Sequence, residues 1–135
     1  MNKPYRYLLV DDDPTNNMIC KLLILQQDQE AVVSHFENPE TALEELKNTY
    51  NKPDEDLKTM LLLDINMPQM TGWEFLDEFE TFEPRIKDQF IVYILTSAIQ
   101  DFETEEKRYP FVSGFLNKPL KIETLKQILK KSTDA

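Results

Sequence analysis

The chain has one cysteine, one histidine and no long apolar run, and each scarcity removes a class of function. A lone Cys20 cannot close an internal disulfide or build a cysteine-based zinc site. Its place in an apolar, helix-like pattern reads as buried packing. A lone His35 closes a short apolar run and reads as a solvated or packed imidazole, leaving no histidine metal site and no nucleophilic triad. No stretch approaches the roughly 20 residues of a spanning helix. The start, Met1-Asn2-Lys3-Pro4-Tyr5-Arg6, lacks the apolar core of a signal peptide, which places the chain in the cytoplasm. Positive charge is also short: 15 Lys and Arg against 25 Asp and Glu give a formal net charge of -10. A surface of that sign repels nucleic acid and anionic membranes, so neither is expected as a partner.

What the chain does have is alternation. Its 135 residues, 41% hydrophobic and 30% charged, suit one soluble domain. Strand patterns fall at 5–10, 31–36, 59–64, 90–95 and 112–116. Between them, Pro14 opens a helix that Asp13 is placed to cap, with Met18, Ile19, Leu22, Leu23 and Leu25 at helical spacing to about residue 28. Asn38-Pro39-Glu40 is a second helix start, and Ala42, Leu43 and Leu46 are its apolar stripe. The polar stretch 48–58 reads as a long loop. Phe75, Leu76 and Phe79 mark a third helix, with Trp73 packing at its start. Residues 100–109 are weakly amphipathic and end at Pro110. Ile122, Leu125, Ile128 and Leu129 pattern the last helix. Five strand–helix units with nearly continuous apolar strands predict an α/β fold: a doubly wound parallel sheet of five strands in the order 2-1-3-4-5.

Four of the apolar runs stop at a polar group. Leu8-Leu9-Val10 meets Asp11-Asp12-Asp13, and Leu61-Leu62-Leu63 meets Asp64. Val92-Tyr93-Ile94-Leu95 meets Thr96, and Phe115-Leu116-Asn117 meets Lys118-Pro119. In a parallel sheet these ends face one way, at the edge where open α/β sheets bind ligands. Adjacent strands lie about 4.8 Å apart, so acids ending the first and third strands either rise in pKa or share a cation. Oxygen donors without His or Cys favour Mg2+. A carboxylate can also act as nucleophile toward a phosphoryl group, and Asp64, the only acid at its strand end, is the best candidate. Mg2+, Lys118 and Thr96 with backbone amides would then neutralise the phosphoryl oxygens. An acidic triplet alone is usually a solvated face. Four complementary strand ends in sheet order are a stronger signal.

These motifs resemble the response regulator receiver domain over essentially the whole chain. They are Leu8-Leu9-Val10-Asp11-Asp12-Asp13-Pro14, Leu63 through Gly72 (Leu63-Asp64-Ile65-Asn66-Met67-Pro68-Gln69-Met70-Thr71-Gly72), Leu95-Thr96-Ser97-Ala98 and Phe115-Leu116-Asn117-Lys118-Pro119. The resemblance implies a flavodoxin-like fold and phosphoryl acceptance by Asp64 from a histidine kinase or histidine phosphotransfer protein. It implies Mg2+ ligation by the side chains of Asp12 and Asp64 and the Asn66 carbonyl, with Asp11 acting mainly through water. Lys118 would pair with the phosphoryl group across a cis bond to Pro119. Thr96 would move toward the phosphoryl group and Phe115 inward, rearranging a face made by helix 100–109 with Tyr109 and Phe111, the fifth strand and the last helix. Phe115 stands where Tyr is often found, which removes any role for a phenolic hydroxyl. Asn66 and Ala98 hold positions linked in the family to phosphoryl loss, and neither supplies an obvious general base.

Two rivals remain. Asp11-Asp12-Asp13-Pro14-Thr15 also fits the nucleophile motif of haloacid dehalogenase-like phosphatases, but there the further acids follow the lysine, whereas Asp64 precedes both Thr96 and Lys118. A pseudo-receiver, a binding module that is not phosphorylated, would be expected to lack an acid or the lysine, and none is missing. The expectation is a signalling switch rather than a turnover enzyme, a single receiver domain over 1–135 without an output domain. It would contact a downstream protein target as a monomer or a phosphorylation-dependent dimer.

Overall fold

The computed structural model describes residues 6–50, 58–97 and 102–133. Five strands, β1 (Arg6–Val10), β2 (Val32–Phe36), β3 (Thr59–Asp64), β4 (Phe90–Thr96) and β5 (Val112–Asn117), form one sheet in the order β2-β1-β3-β4-β5. All four pairings are parallel. The helices are α1 (Pro14–Gln27), α2 (Pro39–Thr49), α3 (Gly72–Glu80), α4 (Pro84–Lys87), α5 (Glu103–Arg108) and α6 (Ile122–Thr133). No helix among the described residues is long and apolar enough to cross a membrane. The doubly wound architecture and the strand order are as the alternating pattern predicts.

The burial follows from the twofold side-chain period of strands. Leu8, Val10, Leu61, Leu63 and Ile94 point to one face, where they pack with Ala42, Leu43 and Leu46 of α2 and Phe75, Leu76 and Phe79 of α3. Tyr7, Leu9, Met60, Leu62 and Leu95 point to the other, against Cys20 and Ile24 of α1 and Leu125, Ile128 and Leu129 of α6. β3 is central and buried along its whole length, which is why its sequence is apolar without alternation. Each large side chain buried this way contributes about 1.5–3 kcal/mol.

The helix starts follow local chemistry. Asp13 caps α1, accepting from the Thr15 amide at 2.9 Å. Asn38 caps α2, accepting from the Glu40 amide at 2.9 Å with Pro39 behind it. Thr71 and Glu74 cap α3 reciprocally. α4 is a single turn that the apolar pattern does not signal; Pro84 at its start supplies the helical φ. Part of the 48–58 loop and the start of helix 100–109, with Ala98, lie outside the described residues.

The buried stripe of α1 differs from expectation. Met18, Ile19 and Leu22 are 59%, 37% and 57% exposed, whereas Asn16, Asn17, Cys20 and Ile24 are buried. Two stripes fit the 3.6-residue period, and the asparagines select the less apolar one. Asn16 Nδ2 donates to Asp11 Oδ2 at 2.7 Å, and Asn17 Nδ2 donates to the Asp11 carbonyl at 2.9 Å. Those bonds rotate their side of α1 toward the sheet.

Candidate functional site

Strand register assembles the site. Val10 pairs with Leu63, so Asp11 and Asp64 are the next positions on adjacent strands. Asp64 pairs with Leu95, which puts Thr96 one residue further along β4. Thr96 in turn pairs with Asn117, and the Lys118 amide donates to the Thr96 carbonyl at 2.8 Å. Asp11, Asp64, Thr96 and Lys118 therefore meet at the carboxyl edge because four apolar runs end within about one residue of each other. The Lys118-Pro119 bond is cis.

The loop after β3 folds back tightly. The Gly72 amide donates to the Ile65 carbonyl at 2.8 Å. A Cβ on Gly72 would lie 2.8 Å from the Asp64 carbonyl oxygen and 2.9 Å from Ile65 Cα. Only glycine lets α3 begin this close to the strand end.

Lys118 Nζ lies 2.7 Å from Asp11 Oδ2 and 3.0 Å from Asp64 Oδ1. Asp11, Asp64 and Thr96 are all buried. Burial pushes the Asp64 carboxyl up to about 6; the Lys118 hydrogen bond opposes that shift and the Asp11 charge adds to it. Burial alone would depress the Lys118 ammonium, but its hydrogen bonds to Asp11 and Asp64 prevail and raise its pKa. Asp11 has the more committed carboxylate. Its Oδ1 accepts from the Asp13 amide at 2.9 Å, and its Oδ2 serves both Asn16 and Lys118.

Asp11, Asp12 and Asp64 each offer a carboxylate oxygen within 4.8 Å of the others. Three carboxylates against one ammonium leave uncompensated negative charge, and an all-oxygen donor set suits a hard divalent cation. These residues fit Mg2+. Asn66 is exposed two residues beyond Asp64, and its backbone hydrogen bond is a smaller influence on the Asp64 carboxyl. Asp13 is exposed and engaged as a cap, as its position predicts.

Phe115 is half-buried and stacks on Phe102 with centroids 4.8 Å apart and planes at 16°. Tyr109, expected as part of the rearranging face, is 3% exposed. Its ring stacks on Trp73 at 5.4 Å, which draws it into the core between α3 and β5. Sequence reasoning also missed Asn16 and Asn17. The signal was available: Asn16, Cys20 and Ile24 recur every four residues, so the asparagine heads a buried face and points at the first strand's acids.

A carboxylate cluster with one ammonium, at the switch point of a doubly wound parallel sheet, can handle a cation and an anion side by side. Residues 7–130 match the response regulator receiver domain, and the chain belongs to that family. It is 32% identical over 127 residues to the nitrate/nitrite response regulator protein NarL of Escherichia coli (strain K12), covering 94% of this chain and 54% of NarL. It is 35% identical over 79 residues to protein-glutamate methylesterase/protein-glutamine glutaminase 3 of Burkholderia thailandensis, covering 58% of this chain and 20% of that protein. The chain thus spans about half the length of NarL and a fifth of the methylesterase. A two-component response regulator from Cytophaga hutchinsonii shares the fold at TM-score 0.84 and 24% identity, over 98% of this chain and 99% of that one. Vibrio cholerae CheY4 does so at TM-score 0.73 and 22% identity, over 96% and 98%. Receiver domains are signalling switches of two-component systems rather than turnover enzymes.

Proposed function

We propose that this chain is a phosphorylatable switch in which Asp64 accepts a phosphoryl group from a phospho-histidine of a histidine kinase or histidine phosphotransfer protein. An Asp64 carboxylate oxygen attacks phosphorus, the O–P bond forms as the donor's N–P bond breaks, and the donor imidazole leaves with the bonding pair. The reading rests chiefly on one observation: buried Asp64 sits with Asp11 and Asp12 within ligating reach and with Lys118 at 3.0 Å. Asp11, Asp12 and Asp64, with the Asn66 carbonyl, would hold Mg2+, which supplies charge neutralisation at a phosphoryl oxygen. Lys118 would pair with a second oxygen, and Thr96 with nearby amides would receive a third. Thr96 and Phe115 would carry the change to the α5-β5-α6 face, where a downstream protein binds. The chain would act in the cytoplasm as a single receiver domain, as a monomer or a dimer formed on phosphorylation.

Intact-protein mass after incubation with acetyl phosphate tests this. One phosphoryl addition is expected in Mg2+, and none in EDTA or in Asp64→Asn. No addition to a demonstrably folded wild type would leave a pseudo-receiver that works by binding alone.

A further inference from the structure

α5 has no buried residue of its own. What holds it are the residues that flank it, Phe102 before and Tyr109 after, both buried. A polar junction adds to them. The Tyr109 hydroxyl donates to Asp77 Oδ1 of α3 at 2.7 Å. Arg108 donates to the same oxygen through a terminal nitrogen at 2.9 Å, and to the hydroxyl through Nε at 2.9 Å. The Trp73 carbonyl lies 3.3 Å from that hydroxyl. The Tyr109 hydrogen bond and then Arg108 hold the Asp77 carboxyl below the usual carboxylate range.

The junction continues into an aromatic stack. Tyr109 lies parallel to Trp73, with planes at 14°. Trp73 leans on Phe102 at 5.8 Å and Phe115 at 6.2 Å, and those two rings stack on each other. Phe115 pairs in the sheet with Ile94, two positions before the Thr96–Asn117 pair at the acid cluster. Asp77 is therefore connected by direct contacts to the strand ends that carry Thr96 and Lys118. A rearrangement of Phe115 or α5 has to disturb this stack.

We infer that Asp77, Arg108 and Tyr109 form a latch that fixes α5 against α3 and, through Trp73, Phe102 and Phe115, resists rearrangement at the phosphoryl site. This rests on the reading of Asp64 as phosphoryl acceptor. Asp77, Arg108 and Tyr109 are then positioning residues that act through the rings. An exposed ion pair such as Arg108–Asp77 adds little to global stability. Its weight falls on the difference between two arrangements of one weakly anchored helix. Loosening the latch lowers the cost of the rearranged state, and a ligand that needs that state binds more tightly.

The test uses beryllium fluoride with Mg2+, a mimic of a phosphoryl group on a carboxylate, followed by the emission of Trp73, the single tryptophan. Wild type, Asp77→Asn, Tyr109→Phe and the double variant are titrated as full chains, with urea unfolding alongside. Tyr109→Phe keeps the stacked ring, and Asp77→Asn keeps the side-chain shape. Each single variant is expected to bind about three- to tenfold more tightly. The double variant should gain less than the product of the two, because both act on one junction. Wild-type binding with equal or weaker binding in the variants would overturn the latch while leaving the receiver reading intact. A folded wild type that gives no response in either emission or heat of binding would overturn the receiver reading, and the latch with it.

Discussion

Asp64 is a costly residue for the fold, and the cost is measurable. Its carboxyl is pushed from an ordinary 3.8 up to about 6, first by burial and also by the Asp11 charge, against the pull of Lys118. A raised folded-state pKa means that the native chain holds this proton more tightly than the unfolded chain. The contribution is fully present below the unfolded value and is lost as pH rises through the folded one. Ionising Asp64 near neutrality therefore costs at most about 3 kcal/mol, from roughly two pKa units at about 1.4 kcal/mol each. Asp64→Asn removes the charge and keeps the shape and an acceptor for Lys118. In EDTA near pH 7.5 it should be more stable than wild type by about 2–3 kcal/mol, a rise of roughly 6–9 °C in Tm for a domain of this size. Near pH 4 the advantage should shrink to about half a kcal/mol, because wild-type Asp64 is then protonated when folded and substantially so when unfolded. Urea unfolding followed by Trp73 emission across that range measures both limits, and Mg2+ should narrow the gap by stabilising wild type more. An Asp64→Asn chain no more stable than wild type at neutral pH, or equally favoured at both ends, would refute the electrostatic account.

Lys118→Met leaves the Asp11 and Asp64 carboxylates facing each other without their cation, and should cost about 3 kcal/mol in EDTA, partly restored by Mg2+ in the same urea assay. Gly72→Ala drives a Cβ to 2.8 Å from the Asp64 carbonyl oxygen; a loss of about 1–3 kcal/mol and slower phosphorylation by acetyl phosphate are expected. Asn16→Leu removes the amide that shares Asp11 Oδ2 with Lys118; urea unfolding should register a loss of about 1–3 kcal/mol, and calorimetry a weaker Mg2+ affinity.

The strand ends were legible because a parallel sheet leaves little freedom. Once Leu8-Leu9-Val10 and Leu61-Leu62-Leu63 are buried neighbours, Asp11 and Asp64 must emerge at the same edge, and the observed register places them so. The Asn38-Pro39 start of α2 was legible for a local reason, an acceptor side chain followed by a fixed φ. The Thr71 and Glu74 spacing around α3 carried the same kind of information and could have been used. The buried face of α1 was not legible from hydrophobicity. Met18 and Leu22 form as good a stripe as Cys20 and Ile24, and the choice depends on hydrogen bonds to Asp11 from another element. The burial of Tyr109 was not legible for the same reason. Its burial depends on Trp73 and Asp77, more than thirty residues away, and periodicity within a six-residue helix cannot report that.

The central claim is that Asp64, rather than another carboxylate of the cluster, forms the acyl phosphate. Asp11 and Asp12 lie within the same site, so total mass alone does not separate the possibilities. Borohydride reduces an aspartyl phosphate to homoserine, which peptide fragmentation then locates. After acetyl phosphate and Mg2+, homoserine is expected at position 64 alone and absent when EDTA is present. Homoserine at position 11 or 12, or none in a chain that is folded and binds Mg2+, would contradict the account.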